Sequence, residues 1–387
     1  MTRVAFLPGD GIGREVLPAA RRVLDAAGFR PEWVELPLGW DEWKRNGDPL
    51  PAPTLAEMRK TDAAFFGAIT SKGAAEAENE LVPRLHGKRL LYTSPILRLR
   101  KAFDLSTNLR PTRTFEGNPN NIRGAVDIVI VRENTEDLYA EVEAHPTPAG
   151  LIEAWRNAGA RPEDLPPPGA DTAMTARVIT RRRTENIVRA AFEYAAKNNR
   201  GRVTLLEKAN VMRKTGGLVQ DAFRRVAAGF RRIETEELQI DAACALLVRD
   251  PRRFDVVVAT NLFGDIFSDV AAEVAGGLGL APSANLGPRY ALFEPVHGSA
   301  PDIAGTGKAN PTGAILAGAM LARHVGATDA AARTEAALAA WFRAGGPFTP
   351  DLGGMASTET ATDWLIRHAT ASSPKQSANA ATRILNR

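Results

Sequence analysis

One cysteine, Cys244, in a chain of 387 residues excludes an internal disulfide framework and a cysteine-built zinc site. Its setting, Asp-Ala-Ala-Cys-Ala-Leu-Leu-Val, reads as a small core position, so redox thiol chemistry is not expected. No apolar run approaches the ~18 residues that a membrane-spanning helix needs. The N-terminal Met-Thr-Arg-Val-Ala-Phe-Leu-Pro-Gly-Asp runs directly into a strand and turn rather than a cleavable signal, and a cytoplasmic protein without membrane contact is expected. Neither charge dominates: 49 Lys and Arg face 45 Asp and Glu, a net charge of +4. Arg181-Arg182-Arg183 and Arg224-Arg225 have no interleaved aromatics and no binding motif, so they read as solvated helix faces, and no nucleic-acid partner is expected.

What is present is apolar material, 44% of the chain, over a length that exceeds a single core and implies two lobes. Residues 4–7 read as a strand, 8–13 as a glycine turn and 15–27 as a helix stopped at Gly28. The turn nearly spells a dinucleotide fingerprint with Gly9, Gly11 and Gly13, but Arg14 stands where the last glycine belongs. Further apolar runs at 63–67, 126–131, 203–206, 254–260 and 291–293 alternate with helical stretches, which predicts α/β architecture with sheet edges carrying the site. Residues 144–176 break into Pro, Gly and Ala and read as an irregular arm, and from about Ser372 the chain reads as a polar tail.

Asp265 and Asp269, in Asn-Leu-Phe-Gly-Asp-Ile-Phe-Ser-Asp, follow an apolar strand and share one helix face. Two carboxylates so placed repel unless a cation lies between them, and a hard divalent ion suits them. A solvated acidic face reads equally well from this pair alone. Arg100, Arg110 and Arg132 come from separate segments, and guanidinium groups converging in this way suit a multiply charged acid. Lys208, just after a strand, is placed to serve as a base if burial or cationic neighbours lower its pKa. Tyr139 is a candidate proton donor, and Asp241 opens a helix, where aspartate also has an ordinary capping role. The Gly- and Pro-rich stretch 293–311 holds His297 and Asp302, a pattern that lets amides approach phosphates and an acid meet a ribose diol.

In order along the chain stand Pro-Gly-Asp-Gly-Ile-Gly (from Pro8), Leu-Arg (Leu99, Arg100), Asn-Leu-Arg-Pro (from Asn108), Arg-Glu-Asn-Thr-Glu (from Arg132), Lys-Ala-Asn (from Lys208), Gly-Asp-Ile-x-Ser-Asp (from Gly264) and Val-His-Gly-Ser-Ala-Pro-Asp (from Val296). Together these motifs resemble the β-decarboxylating dehydrogenases: isocitrate, homoisocitrate, 3-isopropylmalate and tartrate or D-malate enzymes. The resemblance implies the isopropylmalate dehydrogenase-like α/β fold, two lobes on a mixed twisted sheet, and not a Rossmann fold. Lobe one would join 1–105 with 276–387; lobe two would be 106–275, carrying the dimer interface and a clasp arm at about 140–178. It further implies a homodimer, or a tetramer, with shared active sites. Mg²⁺ or Mn²⁺ would sit on Asp265 and Asp269 with Asp241 of the other chain, whose Lys208 would be the base, and Tyr139 would return a proton. Ser94, Arg100, Arg110, Arg132 and Asn210 would bind a hydroxy di- or tricarboxylate. His297, Gly298, Ser299, Ala300, Asp302 and Asn310 would bind NAD, because Asp302 repels a 2′-phosphate where NADP enzymes carry lysine.

Substrate choice rests on Tyr-Thr-Ser-Pro-Ile-Leu-Arg-Leu-Arg (from Tyr92). Ser94 matches the isocitrate style, but Ile96 replaces its asparagine and with Leu97 offers an apolar wall. Ser-Pro-Ile resembles homoisocitrate and archaeal 3-isopropylmalate enzymes; isocitrate, tartrate and D-malate remain alternatives. Arg98, either solvated or in the pocket, would in the pocket favour an extra anionic group on a specialised substrate. A non-catalytic regulatory subunit of this fold would be expected to have lost metal or base residues that this chain retains.

Overall fold

The computed structural model describes residues 1–167 and 169–371, so the expected polar tail lies outside the described residues. Twelve strands are described: β1 (Arg3–Gly9), β2 (Glu32–Glu35), β3 (Ala63–Ala68), β4 (Thr107–Arg113), β5 (Asp127–Glu133), β6 (Glu143–Ala144), β7 (Met174–Thr175), β8 (Arg202–Glu207), β9 (Glu234–Gln239), β10 (Val256–Ala259), β11 (Pro282–Leu286) and β12 (Ala291–Pro295). Ten form one sheet in the order β2-β1-β3-β12-β11-β4-β5-β10-β8-β9, and β6 pairs with β7 alone. The first four and the last four are parallel blocks; between them every pairing, β12 to β11, β11 to β4 and β4 to β5, is antiparallel. The expected mixed α/β sheet is therefore present as two parallel blocks of opposite direction meeting at β11 and β4.

Helices bury both faces of this sheet, as parallel strands require. Gly13–Ala26 packs on Thr312–His324 and Thr358–Ala371. Arg181–Lys197 packs on Arg213–Ala227, and Asn261–Val274 packs on β5 and on Ile240–Arg249. The largest apolar cluster draws Val4, Phe65, Phe293, Ile315 and Trp341 from the two ends of the chain. Two further clusters, around Phe192 with Phe223 and around Phe254 with Phe267, draw on the middle.

Several strands escape the sequence reading because their neighbours supply what the residues do not. β4, Thr-Asn-Leu-Arg-Pro-Thr-Arg, has a proline inside it. Its pairing with β11 ends at Leu109, so from Arg110 on only β5 lies alongside and the missing Pro111 N–H costs no ladder bond. β9, Glu-Thr-Glu-Glu-Leu-Gln, is an edge strand, where charge discourages pairing with another chain. The strand expected over 254–260 is shorter, Val256–Ala259, because Asp255 turns its carboxylate to the amides of Gly201 and Arg202 and the Thr260 carbonyl already accepts from Gly264. The arm is not wholly irregular: it holds the β6–β7 pair and a helix, Ala149–Asn157, that buries Ile152 and leaves Trp155 half-exposed. Cys244 is half-buried against the Phe254 cluster and burial raises its pKa, in keeping with an inert thiol. Among the described residues no helix is long and apolar enough to cross a membrane.

Candidate active site

The site forms where the two blocks meet, because strand alternation turns Asn108, Arg110 and Asn285 onto one sheet face. Asn108 sits in register with Asn285 on one side and Arg132 on the other. Arg132, at the end of β5, is almost fully buried. Its Nε and Nη2 donate to Asn261 Oδ1 at 3.0 and 2.6 Å, and its Nη1 donates to Asp265. The Arg132 stem can pass the helix because residue 264 is glycine: a Cβ there would lie 2.7 Å from Arg132 Cγ. Arg110 Nη1 reaches Asp265 at 3.1 Å, Asp269 at 3.2 Å and Ser268 Oγ at 2.7 Å. The Tyr139 hydroxyl donates to the other oxygen of Asp265, and its ring lies 5.1 Å from the Arg132 guanidinium.

Burial alone would raise the Asp265 pKa, but the charges of Arg132 and Arg110 and the Tyr139 hydroxyl outweigh it and hold the carboxyl low. Asp269 goes the other way: burial and the neighbouring Asp265 raise it against Arg110. Burial pushes Arg132 down to about 9, with repulsion from Arg110. Burial and Asp265 raise Tyr139, so its phenol stays protonated at neutral pH. The site is thus a tight set of charges that holds a protonated phenol against an ionised carboxylate.

Arg100 joins this set through partners the sequence reading did not single out. Asn285 Oδ1 accepts from Arg100 Nε at 3.2 Å, Asn108 Nδ2 at 3.0 Å and Asn134 Nδ2 at 2.7 Å. Asn285 Nδ2 donates to Glu294 at 2.7 Å, and Glu294 lies 3.5 Å from Arg100. Within Arg-Glu-Asn-Thr-Glu only Arg132 faces the carboxylates. Glu133 accepts from the Thr135 and Glu136 amides to fold the loop, and Glu136 accepts from Thr180 at the start of the helix Arg181–Lys197. Asp137, just after this motif, and Arg177, 40 residues further on, form a separate, largely buried pair at 2.8 Å. No motif marks Asn285, Glu294 or Arg177, because each acts on residues brought near only by folding.

Lys208 and Asp241 stand apart from this cluster and pair with each other, Nζ to Oδ1 at 2.5 Å, with Asp241 exposed and its pKa lowered by Lys208. Asn210 beside them is exposed. Among the described residues no three His, Cys, Asp or Glu side chains of the one chain come together as a metal cluster. Asp265 and Asp269 supply two hard oxygen ligands one helical turn apart, a donor set that fits Mg²⁺ or Mn²⁺ once a third carboxylate is added.

The segment from Val296 packs on the first glycine turn. Ile12 N donates to Ser299 O at 2.9 Å, and a Cβ on Gly11 (φ +51) would lie 2.0 Å from that oxygen. Ser299 and Asn310 are buried, Asn310 donating to Asp351 at 2.9 Å, whereas Gly298 and Asp302 are exposed. Ala300 adopts a positive φ of 39°. The His297 Nε2 is buried without a partner, an orphaned polar atom that fits a nucleotide's acceptors or donors. Two amides of the stretch, Gly305 and Gly307, are occupied by Glu15 at 2.5 and 3.0 Å, so they are not open to phosphate. Ser94 precedes the helix Pro95–Ala102 that carries Arg100. On that helix Ile96 packs on the Leu99 cluster, and Arg98 pairs with Asp48 and the Leu50 carbonyl.

A model of the isocitrate/isopropylmalate dehydrogenase family matches residues 3–365, and the chain belongs to that family. It is 42% identical over 366 residues to the isocitrate/homoisocitrate dehydrogenase of Thermus thermophilus, covering 94% of this chain and 97% of that protein. It is 42% identical over 358 residues to the 3-isopropylmalate dehydrogenase of Archaeoglobus fulgidus, with 92% and 96% covered. The crystal structure of isocitrate dehydrogenase from Methylococcus capsulatus superimposes with a TM-score of 0.84 at 37% identity, covering 96% of this chain and all of that one. The protein is therefore an enzyme of an oxidoreductase family whose members act on hydroxy-carboxylic acids.

Proposed function

We propose that the protein oxidises a 2-hydroxy-3-carboxy acid of the homoisocitrate or 3-isopropylmalate type with NAD⁺, releasing a 2-oxo acid, CO₂ and NADH. The observation that carries this reading is the Asp265 carboxylate held between Arg132, Arg110 and the Tyr139 hydroxyl. Asp265 and Asp269, with Asp241 of a second copy, would hold Mg²⁺ or Mn²⁺, which when bound polarises the substrate hydroxyl and its neighbouring carboxylate. His297, Gly298, Ser299, Ala300, Asp302 and Asn310 would hold NAD⁺, which when bound would provide a hydride acceptor for C2.

The chain's own residues do the rest. Arg100, Arg110 and Arg132 grip the carboxylate on C3 with paired donors and orient it for departure. Lys208 of the other subunit takes the hydroxyl proton, while Ser94 and Asn210 position the substrate. After the bond from C3 to the leaving CO₂ breaks, the Tyr139 O–H, protonated at neutral pH, returns a proton to C3. Arg98 is neutralised by Asp48, which argues against an extra anionic group on the substrate.

The two lobes of this reading are 1–105 with 276–387 and 106–275. A homodimer is supported by the separation of Lys208 and Asp241 from the arginine cluster. Half-exposed apolar side chains point the same way: Val211, Val248 and Ile266 near the site residues, and Val142, Leu151 and Trp155 on the arm.

The test is NADH formation with Mn²⁺ across isocitrate, homoisocitrate, 3-isopropylmalate, D-malate and tartrate. Turnover of homoisocitrate or 3-isopropylmalate, abolished by a chelator, is expected, and no turnover of any member overturns the reading. The cofactor assignment has its own check: kcat/KM favours NAD⁺ over NADP⁺, and Asp302→Lys shifts the ratio toward NADP⁺.

A further inference from the structure

Arg177, where the arm leads into the helix Arg181–Lys197, uses every nitrogen of its guanidinium although none of the chemistry above employs it. Its side chain is 10% exposed. Nε donates to Asp137 Oδ1 at 2.8 Å. Nη1 donates to Glu207 Oε1 at 3.2 Å and Thr215 Oγ1 at 3.0 Å. Nη2 donates to Glu207 Oε2 and Thr260 Oγ1, both at 3.0 Å. The Phe263 ring lies 5.3 Å from the guanidinium carbon.

What these partners carry gives the contact its meaning. Asp137 holds a positive φ of 70° two residues before Tyr139, and its second oxygen accepts from the Leu262 amide at 3.1 Å. Leu262 and Thr260 start the helix that presents Asp265 and Asp269. Glu207 ends β8 and immediately precedes Lys208, whose carbonyl accepts from the Val211 and Met212 amides at 3.0 Å each. Thr215 lies on the helix that follows that turn. One buried guanidinium therefore braces the footing of Tyr139, of Asp265 and of Lys208 at once.

On the shared-site reading above, Tyr139 and Asp265 serve their own chain's active site whereas Lys208 serves the partner's. We propose that Arg177 is a positioning residue that keeps the two half-sites of each subunit in register, so that every active site depends on the Arg177 of both chains. The inference rests on that reading, and the planar fork is what suits arginine to it: an ammonium group cannot span Asp137 and Glu207 bidentately together with Thr260.

Hybrid dimers, purified with two tags, test this. A Tyr139→Phe chain paired with a Lys208→Met chain has one live site with Arg177 intact in both chains, and it is the control. Pairing Arg177→Met with Tyr139→Phe leaves one live site whose Tyr139 and Asp265 belong to the altered chain. Pairing Arg177→Met with Lys208→Met leaves one live site that takes only its Lys208 from the altered chain.

Relative to the control, kcat is expected to fall about 10- to 100-fold in both hybrids, the scale typical of outer-shell losses. The KM for the hydroxy acid should change far less, because Arg177 touches none of Arg100, Arg110 and Arg132. A hybrid that takes only Lys208 from the altered chain yet matches the control overturns the proposal. Arg177→Lys, which keeps the buried charge and so the fold, should retain the kcat defect in the same pairing; full restoration by lysine overturns the register role. An inactive control hybrid overturns the shared-site reading, and this proposal with it.

Discussion

Asp265 divides its two oxygens among Arg132, Arg110 and Tyr139, whereas Asp241, on the same chain, has Lys208 as its ion-pair partner among the described residues. The first group is closed: its arginines are buried, its carboxylate is held ionised by them, and Asn261, Asn285 and Ser268 each accept from one of these arginines or from Arg100. The second is open, a pair at the surface with Asn210 exposed beside it. A buried guanidinium cannot be left unpaired without a large penalty, so the first group had to be completed inside one chain. A surface pair carries no such demand, which leaves it free to act on something outside the chain.

The comparison breaks most visibly at Asp265. Asp265→Asn leaves Arg132 buried beside a neutral amide, and unfolding by denaturant should show a loss of about 3–5 kcal/mol, with NADH formation lost as well. The pH dependence has a definite sign: the folded carboxyl titrates lower than the unfolded one, so its contribution is full above the unfolded pKa. As pH falls through the folded value the difference between wild type and variant should shrink, which melting curves on the acid side would reveal.

Asn285→Ala removes the acceptor shared by Arg100, Asn108 and Asn134 and leaves buried donors unmet. About 1–3 kcal/mol of stability should go with it, and the substrate KM should rise as Arg100 loses its bearing. A KM unchanged from wild type would show that Arg100 is oriented without Asn285. Lys208→Met sharpens the contrast from the open side: turnover should collapse while the melting temperature hardly moves, because an exposed ion pair contributes little. A marked drop in melting temperature would mean that Lys208 is structural. Smallest of all, Arg98→Ala breaks only a partly exposed pair with Asp48, and both stability, within about 1 kcal/mol, and KM should hold. A raised KM would return Arg98 to the pocket.

How much could be read before folding varied with the kind of partner each residue has. The α/β alternation was legible because its strands are apolar runs, yet β4 and β9 were not, since their polar residues are accommodated by a neighbouring strand or an edge position. Arg100, Arg110, Arg132, Tyr139, Asp265 and Asp269 could each be named from motifs, and the fold draws all six into one cluster. Gly264 was legible as part of a motif but not as the gap through which the Arg132 stem passes. The helix in the arm was missed because its Gly and Ala content masks a short apolar stripe at Leu151, Ile152 and Trp155.

The chain's residue types and spacings are enough to establish its family and the kind of chemistry it prepares. Arginines from separate segments, two aspartates one helical turn apart and an acid in a glycine-rich turn could be picked out because residue type and spacing are written locally. Folding alone settled who answers each charge. Arg177 meets Asp137, Glu207 and Thr260 across separations of 40, 30 and 83 residues. No spacing rule reaches that far: which donor faces which acceptor depends on the register of β4, β5 and β11 and on how the helices close over them, and these follow from packing the whole chain.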